Sequence, residues 1–240
     1  MVLERSELLA LIERDSLLAE LADASRAAGA GDPAHDLEHC LRVACWTVHI
    51  GQPAGVDRRE AIAAALLHDI VNLPKSSPDR ARASELCAAR ASELCAPHLS
   101  APAVGRIAHA IRDHSYSRGA RPQSPLGEAL QDADRLEALG ALGILRCIST
   151  GAKMGADYFD PDDPWAERRA LDDHAHSVDH FYRKLLTVAD TMCTDLGRAE
   201  AERRTVFLRA FLTQLSTELR VSVPPTKTPE TPRVSVSARR

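Results

Sequence analysis

Four residues with metal-ligating side chains lie inside otherwise apolar stretches of the sequence. They are His39 in HDLEHCLRV, the pair His68 and Asp69 in AALLHDI, and Asp134 in QDADRLEALG. Burying an imidazole or a carboxylate among Leu and Ala residues costs free energy unless a partner compensates for it. Histidine nitrogen and carboxylate oxygen together are ligands that divalent Mn, Fe, Zn and Mg use in proteins. The pattern therefore predicts a metal site that these four side chains share.

The alternative to a metal site is a set of ordinary hydrogen-bonded residues. A histidine in a helix is more often such a residue than a ligand, and an isolated His-Asp pair is common by chance. The ordered set H, HD, D, with each member in a helical Leu/Ala/Val stretch, favours the metal site. Adjacent helical residues point about 100° apart, so His68 and Asp69 reach one ion only over the edge that they share. Two further helices would supply His39 and Asp134 and leave coordination positions for water and substrate.

Helices are the elements that must position these residues. Ala and Leu dominate, hydrophobic residues make up 45% of the chain and aromatic residues 4%, so we expect an all-α bundle with an aliphatic core. Asp57, with Glu60 three residues later, predicts the start of the third helix, and Gly140 or Gly143 is a candidate break in the sixth. Apolar periodicity predicts helices over residues 3–28, 36–50, 55–71, 79–96, 101–114, 126–150, 165–197 and 198–219, and no strand.

Charge and composition exclude several classes of protein. The net charge is −4, which does not favour binding to a nucleic acid polymer or to a membrane surface. No apolar run approaches the roughly 18–20 residues of a membrane span, and no signal peptide is recognisable. We therefore predict a cytoplasmic protein with reduced cysteines. The Pro-containing segment VSVPPTKTPETPRVSVSARR, residues 221–240, predicts a disordered tail.

Several motifs together resemble the HD-domain superfamily of metal-dependent phosphohydrolases, and specifically its bacterial YedJ/YpgQ-like branch. They are HDLEHCLRV, AALLHDI, IRDHSYS, QDADRLEALGALGILRC and HFYRKLL, of which DADRLEALGALG is the most specific. The resemblance covers residues from about 30 to 218. It implies an all-α HD-domain helical bundle, with one domain over residues 1–220, an HD motif core at about 30–150 and a C-terminal helical part at 160–220.

The resemblance also implies a cofactor and an activity. The cofactor is one divalent metal ion, with Mn preferred over Mg, Fe, Co or Zn, held by His39, His68, Asp69 and Asp134. The activity is hydrolysis of a phosphate ester or pyrophosphate bond in a small phosphorylated molecule. A nucleotide is the expected substrate, with cleavage of a nucleoside triphosphate to monophosphate and pyrophosphate favoured. Two alternative functions are a non-catalytic ligand sensor or binding protein, and an iron-dependent oxygenase on the same fold. For the assembly of the chain, a homodimer is one option.

Other polar side chains are candidates for contact with the substrate. His35, four residues before His39, and Lys75, beyond the HD pair, could bind phosphate. The resemblance makes His114 a phosphate or water contact. A histidine favoured by the dipole at a helix C-terminus explains the same residue equally well.

The general base stays open at this point. Many HD hydrolases have an acidic residue where this chain has Asn72, and Asn accepts no proton at neutral pH. The field of the metal alone could then deprotonate a bound water, or Asp69, Asp132 or His114 could accept its proton. Glu137, close to Asp134, either orients that ligand or forms an ordinary surface pair with Arg135.

Overall fold

Helices account for most of the computed structural model of the chain, which describes residues 2–29, 36–71, 73, 82–115 and 121–222. Short 3-10 helices run over Gln52–Ala54 and Leu185–Thr191. Asp157 and His176 form an isolated β-bridge, and these ranges contain no strand, which confirms the predicted all-α fold for them. The α-helices in these ranges are α1 (Arg5–Arg14), α2 (Ser16–Ala28), α3 (Leu37–Gly51), α4 (Arg58–Leu67), α5 (Ala83–Cys95), α6 (Ala101–Asp113), α7 (Pro125–Leu136), α8 (Gly140–Met154), α9 (Ser177–Arg183) and α10 (Asp195–Leu219).

The helix α4 is the centre of the bundle. Every residue from 60 to 67 is buried, and α4 packs against α2, α3, α5, α6 and α7. Asp57 begins the helix as predicted, since its carboxylate accepts a hydrogen bond from the backbone N–H of Glu60 at 2.9 Å. The Glu60 side chain pairs with Arg106 of α6, and the distance from Arg106 Nε to Glu60 Oε2 is 2.8 Å. Because α4 is enclosed on all sides, its C-terminal end delivers His68 and Asp69 into the interior.

The predicted first helix, 3–28, is two helices. Asp15 lies between them in an extended conformation and begins α2, with its Oδ1 accepting the N–H of Leu17 at 3.0 Å. Arg59 at the start of α4 pairs with the same carboxylate, with Nε 2.6 Å from Oδ2. An Asp that caps one helix must leave the preceding one, because the capping residue has non-helical backbone angles.

The predicted break in the helix over 126–150 is confirmed at Gly140. Residues 137–139 form a turn between α7 and α8, and Gly140 has a φ of 69°. Glycine adopts such left-handed angles without the steric cost that other residues have.

The predicted helix over 165–197 is wrong for its first half. In the structure this part is irregular up to α9, and α10 already begins at Asp195. Aspartate side chains bind the backbone there: Asp163 accepts the N–H groups of Glu167 and Arg168, and Asp179 accepts the N–H of Asp172. Such local bonds compete with the hydrogen bonds of a helix.

Some predictions fall outside the described residues. These concern His35, Asn72 and Lys75 and, apart from Val221 and Ser222, the tail over 221–240. Among the described residues, no helix is both long and apolar enough to cross a membrane.

Candidate metal centre

The structure brings the four predicted ligands together from three parts of the chain. His39 lies in the first turn of α3, His68 and Asp69 directly follow α4, and Asp134 lies in the last turn of α7. The two imidazole Nε2 atoms are 3.2 Å apart. Asp134 Oδ1 is 3.5 Å from His39 Nε2, and Asp69 Oδ2 is 3.4 Å from His68 Nε2.

These distances fit ligands of a single ion. Two donors that bind one ion at about 2.1 Å, with angles between about 90° and 110°, are about 3.0–3.4 Å apart. The cross pairs are wider: His39 Nε2 to Asp69 Oδ2 and His68 Nε2 to Asp134 Oδ1 are both 3.8 Å. His39, His68 and Asp134 therefore form one compact group of donors that could hold an ion, and Asp69 lies 3.4 Å from His68 Nε2 and 3.8 Å from His39 Nε2.

The cluster is closed on the imidazole side and open on the carboxylate side. The side chains of His39 and His68 are 0% exposed, whereas those of Asp69 and Asp134 are 26% and 25% exposed. A ligand from solvent would therefore approach over the carboxylates. A metal site with an accessible side can bind substrate as well as an ion.

Helix ends fix the rings of His68 and His114. Each residue directly follows its helix, α4 or α6. The Nδ1–H of His68 donates to the carbonyl oxygen of Ala65 at 2.7 Å, and that of His114 donates to Ile111 at 2.6 Å. A carbonyl only accepts, so the proton of each neutral ring lies on Nδ1 and the Nε2 lone pair is available. The same contacts satisfy carbonyl groups that a helix C-terminus leaves without partners.

His114 lies beside both Asp69 and His68. Its Nε2 is 3.8 Å from Asp69 Oδ1, and its ring meets the ring of His68 edge-on with centroids 5.1 Å apart. His68, Asp69 and His114 form a second group of potential ligands that overlaps the first. His114 therefore does end a helix, and it also faces the cluster.

Opposing effects of burial and charge set the protonation of the cluster. Burial lowers the pKa of His39. Burial and the charge of His68 both lower the pKa of His114. Both rings are therefore neutral at pH 7. Burial also disfavours a charged His68, but the carboxylates of Asp69 and Asp134 outweigh it and raise the pKa of His68 well above its usual value.

The charge balance of the cluster indicates whether a metal ion fits these residues. Two carboxylates beside buried imidazoles require positive charge, which is why the pKa of His68 rises. A divalent cation meets that requirement and leaves His68 neutral, with its Nε2 lone pair as a donor. Imidazole nitrogen with carboxylate oxygen suits Mn, Fe, Co or Zn better than an ion that prefers oxygen alone. The residues present fit a divalent metal.

The structure places Asp132 away from this cluster. Its Oδ1 accepts the N–H of Cys193 at 2.8 Å, and its Oδ2 accepts the N–H and the hydroxyl of Thr194 at 2.8 and 2.7 Å. Asp132 is 0% exposed, and a Cβ on Gly197 would be 2.3 Å from its Oδ2. These contacts hold the segment before α10 and favour a structural role for Asp132, whose role as a base stays a prediction.

Glu137 lies beside a different ligand from the one predicted. Its Oε2 is 3.3 Å from His39 Nδ1 and 2.8 Å from Arg42 Nε. Burial would raise the pKa of Glu137, but the hydrogen bond with His39 and the charge of Arg42 hold it below its usual value. Glu137 is thus an ionised, buried carboxylate that contacts His39.

Sequence analysis did not find two cations near the cluster. Arg146 of α8 has NH1 3.2 Å from His39 Nδ1. Lys184, directly after α9, is half-buried; burial lowers its pKa, while the charge of Asp134 acts in the opposite direction. Lys184 lies in the quoted HFYRKLL motif, and Arg146 follows the DADRLEALG stretch. Arg146 lies in α8 and Lys184 follows α9, both well beyond the HD pair, and no spacing in the sequence relates them to it.

Comparison with known proteins identifies the family. The HD domain family model matches residues 36–139. The uncharacterized protein YpgQ of Bacillus subtilis (strain 168) is 33% identical over 190 residues, which is 77% of this chain and 84% of YpgQ. The chain belongs to the HD domain family. The resemblance stated from the motifs is thereby confirmed, and the HD match includes His39, His68, Asp69, His114 and Asp134 but neither Arg146 nor Lys184.

Solved structures of HD proteins share the fold over most of the chain. The crystal structure of B. subtilis YpgQ in complex with ADP has a TM-score of 0.63 and 26% identity, and covers 92% of this chain and 99% of that one. An HD-superfamily hydrolase from Bacillus thuringiensis has a TM-score of 0.65 and 27% identity, with 90% and 100% covered. The similarity therefore extends past the HD match into the C-terminal helices.

Proposed function

We propose that this HD-domain chain is a metal-dependent phosphohydrolase that acts on a small phosphorylated molecule, with a nucleotide as the substrate class. The grouping of His39, His68 and Asp134, with Asp69 3.4 Å from His68 and both carboxylates accessible, carries the proposal. A divalent ion held there supplies Lewis-acid chemistry, which stabilises negative charge on phosphate and makes water a better nucleophile. Mn is the preferred ion.

His114 is the proposed general base. It is neutral at pH 7 because burial lowers its pKa, and its Nδ1–H is held by Ile111, so the Nε2 lone pair faces Asp69. A neutral imidazole in this position can accept a proton from water beside the carboxylate. His114 thus supplies the function for which the chain has no acidic residue at position 72.

Arg146 and Lys184 are the proposed phosphate contacts among the described residues. Lys184 carries positive charge near Asp134, and Arg146 carries positive charge beside Nδ1 of His39. Both charges offset those of Asp69 and Asp134, which would otherwise repel an anionic substrate. A cation close to a phosphate group neutralises charge that increases during phosphoryl transfer. Lys75 and His35 stay as further candidates from the sequence.

Two considerations support a nucleotide. The related YpgQ has been crystallised with ADP, and this cluster combines a candidate metal site with two nearby cations, which suits a polyphosphate. Cleavage of a nucleoside triphosphate to monophosphate and pyrophosphate is the favoured reaction.

The deciding experiment is a hydrolysis assay on nucleoside mono-, di- and triphosphates with Mn, with phosphate and pyrophosphate measured separately. We expect turnover by the wild type and loss of at least 100-fold in Asp69→Asn, because a ligand is lost. Asp23→Asn is the matched control, since Asp23 is an exposed residue of α2 that pairs with Arg26, and it should keep full activity.

The same assay separates the alternatives. Pyrophosphate as product supports the triphosphate reaction, and inorganic phosphate from monophosphates assigns a phosphomonoesterase instead. Absence of turnover on every nucleotide would refute the nucleotide assignment. Iron in the purified protein would then favour the oxygenase, and nucleotide binding without turnover would favour the ligand sensor.

A further inference from the structure

Both nitrogens of the His39 ring are contacted by the C-terminal end of α7. Asp134 Oδ1 lies 3.5 Å from Nε2, and Glu137 Oε2 lies 3.3 Å from Nδ1. The two acidic residues are three positions apart, and the N–H of Glu137 donates to the carbonyl oxygen of Asp134 at 3.0 Å. One turn of backbone therefore places a ligand on one side of the ring and a second carboxylate on the other.

Two groups of opposite character compete for Nδ1 of His39. Glu137 only accepts hydrogen bonds, so its contact requires a proton on Nδ1 and leaves Nε2 with a lone pair for a metal. Arg146 only donates, and its NH1 lies 3.2 Å from the same nitrogen. A hydrogen bond from Arg146 would require an unprotonated Nδ1 and would place the proton of a neutral ring on Nε2, where it blocks ligation.

We propose that Glu137 is the positioning residue of the metal centre, which acts by holding the proton of His39 on Nδ1 against Arg146. This proposal rests on the metal centre of the proposed function, and it assigns to Glu137 an effect on His39 rather than on the substrate.

Burial explains why Glu137 prevails. Glu137 is 1% exposed, so its carboxylate cannot obtain hydrogen bonds from solvent and depends on protein donors. Arg42 supplies one at 2.8 Å from the same face of α3, three residues after His39, and Nδ1–H of His39 supplies another. Arg146 is partly exposed and has five N–H groups, so it loses less when Nδ1 is protonated.

The first test observes the tautomer directly. In metal-free, full-length protein, ¹⁵N NMR of the His39 ring should show a protonated Nδ1 and an unprotonated Nε2. In Glu137→Met, where Arg146 is left as the neighbour of Nδ1, the proton should shift toward Nε2. A wild-type His39 that carries its proton on Nε2 would overturn the proposal.

The second test measures Mn affinity by titration calorimetry. Loss of a group that orients a metal-binding histidine costs about 10–100-fold in affinity, and this is the expected effect of Glu137→Met. Glu137→Gln keeps an acceptor oxygen and should stay within a few-fold of the wild type. Arg146→Met removes the competing donor, so it should bind Mn at least as tightly as the wild type.

Controls separate this effect from misfolding and from the hydrolase proposal. Far-UV circular dichroism checks that each variant is folded; if Glu137→Met is not, the ¹⁵N measurement on the wild type decides the proposal by itself. Wild-type affinity in a folded Glu137→Met would refute the role of Glu137. Both readouts are independent of turnover, so a failed hydrolysis assay would leave this result standing.

Discussion

Asp132 and Asp134 are two residues apart on α7, and their side chains serve different parts of the molecule. Two residues on a helix point about 200° apart. Asp134 therefore faces the cluster, while Asp132 faces the segment before α10 and accepts three hydrogen bonds from it. Because of the helical period, chemically identical residues in one motif thus separate into a candidate ligand and a residue that binds the segment before α10.

Replacing Asp132 should affect stability rather than chemistry. Asp132→Ala leaves the N–H groups of Cys193 and Thr194 without their acceptor, so we expect urea denaturation to show a loss of about 2–3 kcal/mol in the free energy of unfolding. Activity per folded molecule should stay within a few-fold of the wild type. A loss of 100-fold or more in kcat from a fully stable Asp132→Ala would instead identify Asp132 as the base.

Lys184 allows a prediction about substrate binding. Lys184→Met removes a positive charge near Asp134, and a hydrogen bond to a charged group contributes about 1.5–3 kcal/mol. We expect kcat/KM for the nucleotide to fall about 10–100-fold, with unchanged Mn affinity. Steady-state kinetics beside Lys153→Met, an exposed lysine of α8, provide the comparison, and equal kinetics in the two variants would contradict a phosphate contact at Lys184.

At the scale of elements, most residues of the cluster lie at the C-terminal ends of helices. His68 and His114 each follow a helix and donate to the carbonyl three residues earlier, and the end of α7 provides Asp134 and Glu137. Side chains at helix ends can satisfy free backbone groups with one atom and present another. This dual use keeps the rings in place before any ligand binds.

The junction between α1 and α2 gives a prediction about pH. The hydrogen bond from Arg59 holds the pKa of Asp15 below its usual value, against the effect of burial and with help from the N–H groups of Leu18 and Leu17. Its folded-state pKa is below the unfolded value of about 3.9, so the carboxylate stabilises the fold above about pH 4 and this contribution disappears as the pH falls through the folded-state pKa.

The measurement is the difference in unfolding free energy between wild type and Asp15→Ala. It should be about 1–2 kcal/mol from pH 5 to 8 and shrink below pH 4. Asp23→Ala, which removes an exposed pair with Arg26, should change stability by less than about 0.5 kcal/mol. A difference for Asp15→Ala that grows on acidification would contradict the assigned direction of the pKa.

At the scale of the whole molecule, the cluster connects helices that are distant in sequence. The candidate ligands come from α3, the end of α4 and α7, and two carboxylates lie where burial disfavours charge. An ion at this point therefore stabilises the packing of three helices as well as supplying chemistry.

Metal should accordingly raise thermal stability. At a free Mn concentration of about 100 times Kd the stabilisation is about 2.7 kcal/mol, which corresponds to an increase of about 5–10 °C in Tm for a chain of this size. Differential scanning fluorimetry should show this increase in the wild type, its reversal by a chelator, and little shift in Asp69→Asn. An equal shift in Asp69→Asn would place the bound ion elsewhere.

The sequence by itself determined the fold class, the family and the four residues of the cluster. Ala- and Leu-rich periodicity specifies helices locally, and a His or Asp in an apolar helix stands out because its burial needs compensation. The same local rules identified Asp57 and Gly140 as helix boundaries. The local rules gave wrong helix boundaries at Asp15 and in the segment over 157–179. Whether an Asp caps a helix or binds other backbone groups depends on which N–H groups the fold brings close to it.

Only the tertiary structure decided what lies around the cluster. Asp132 as an anchor, Glu137 beside His39, and Arg146 and Lys184 near the ligands all depend on contacts between helices far apart in the chain. Local periodicity shows which face of a helix is apolar, but it does not show which partner that face meets or how the two helices are rotated. A hydrogen bond of about 3 Å depends on that rotation, and packing of the complete core fixes it.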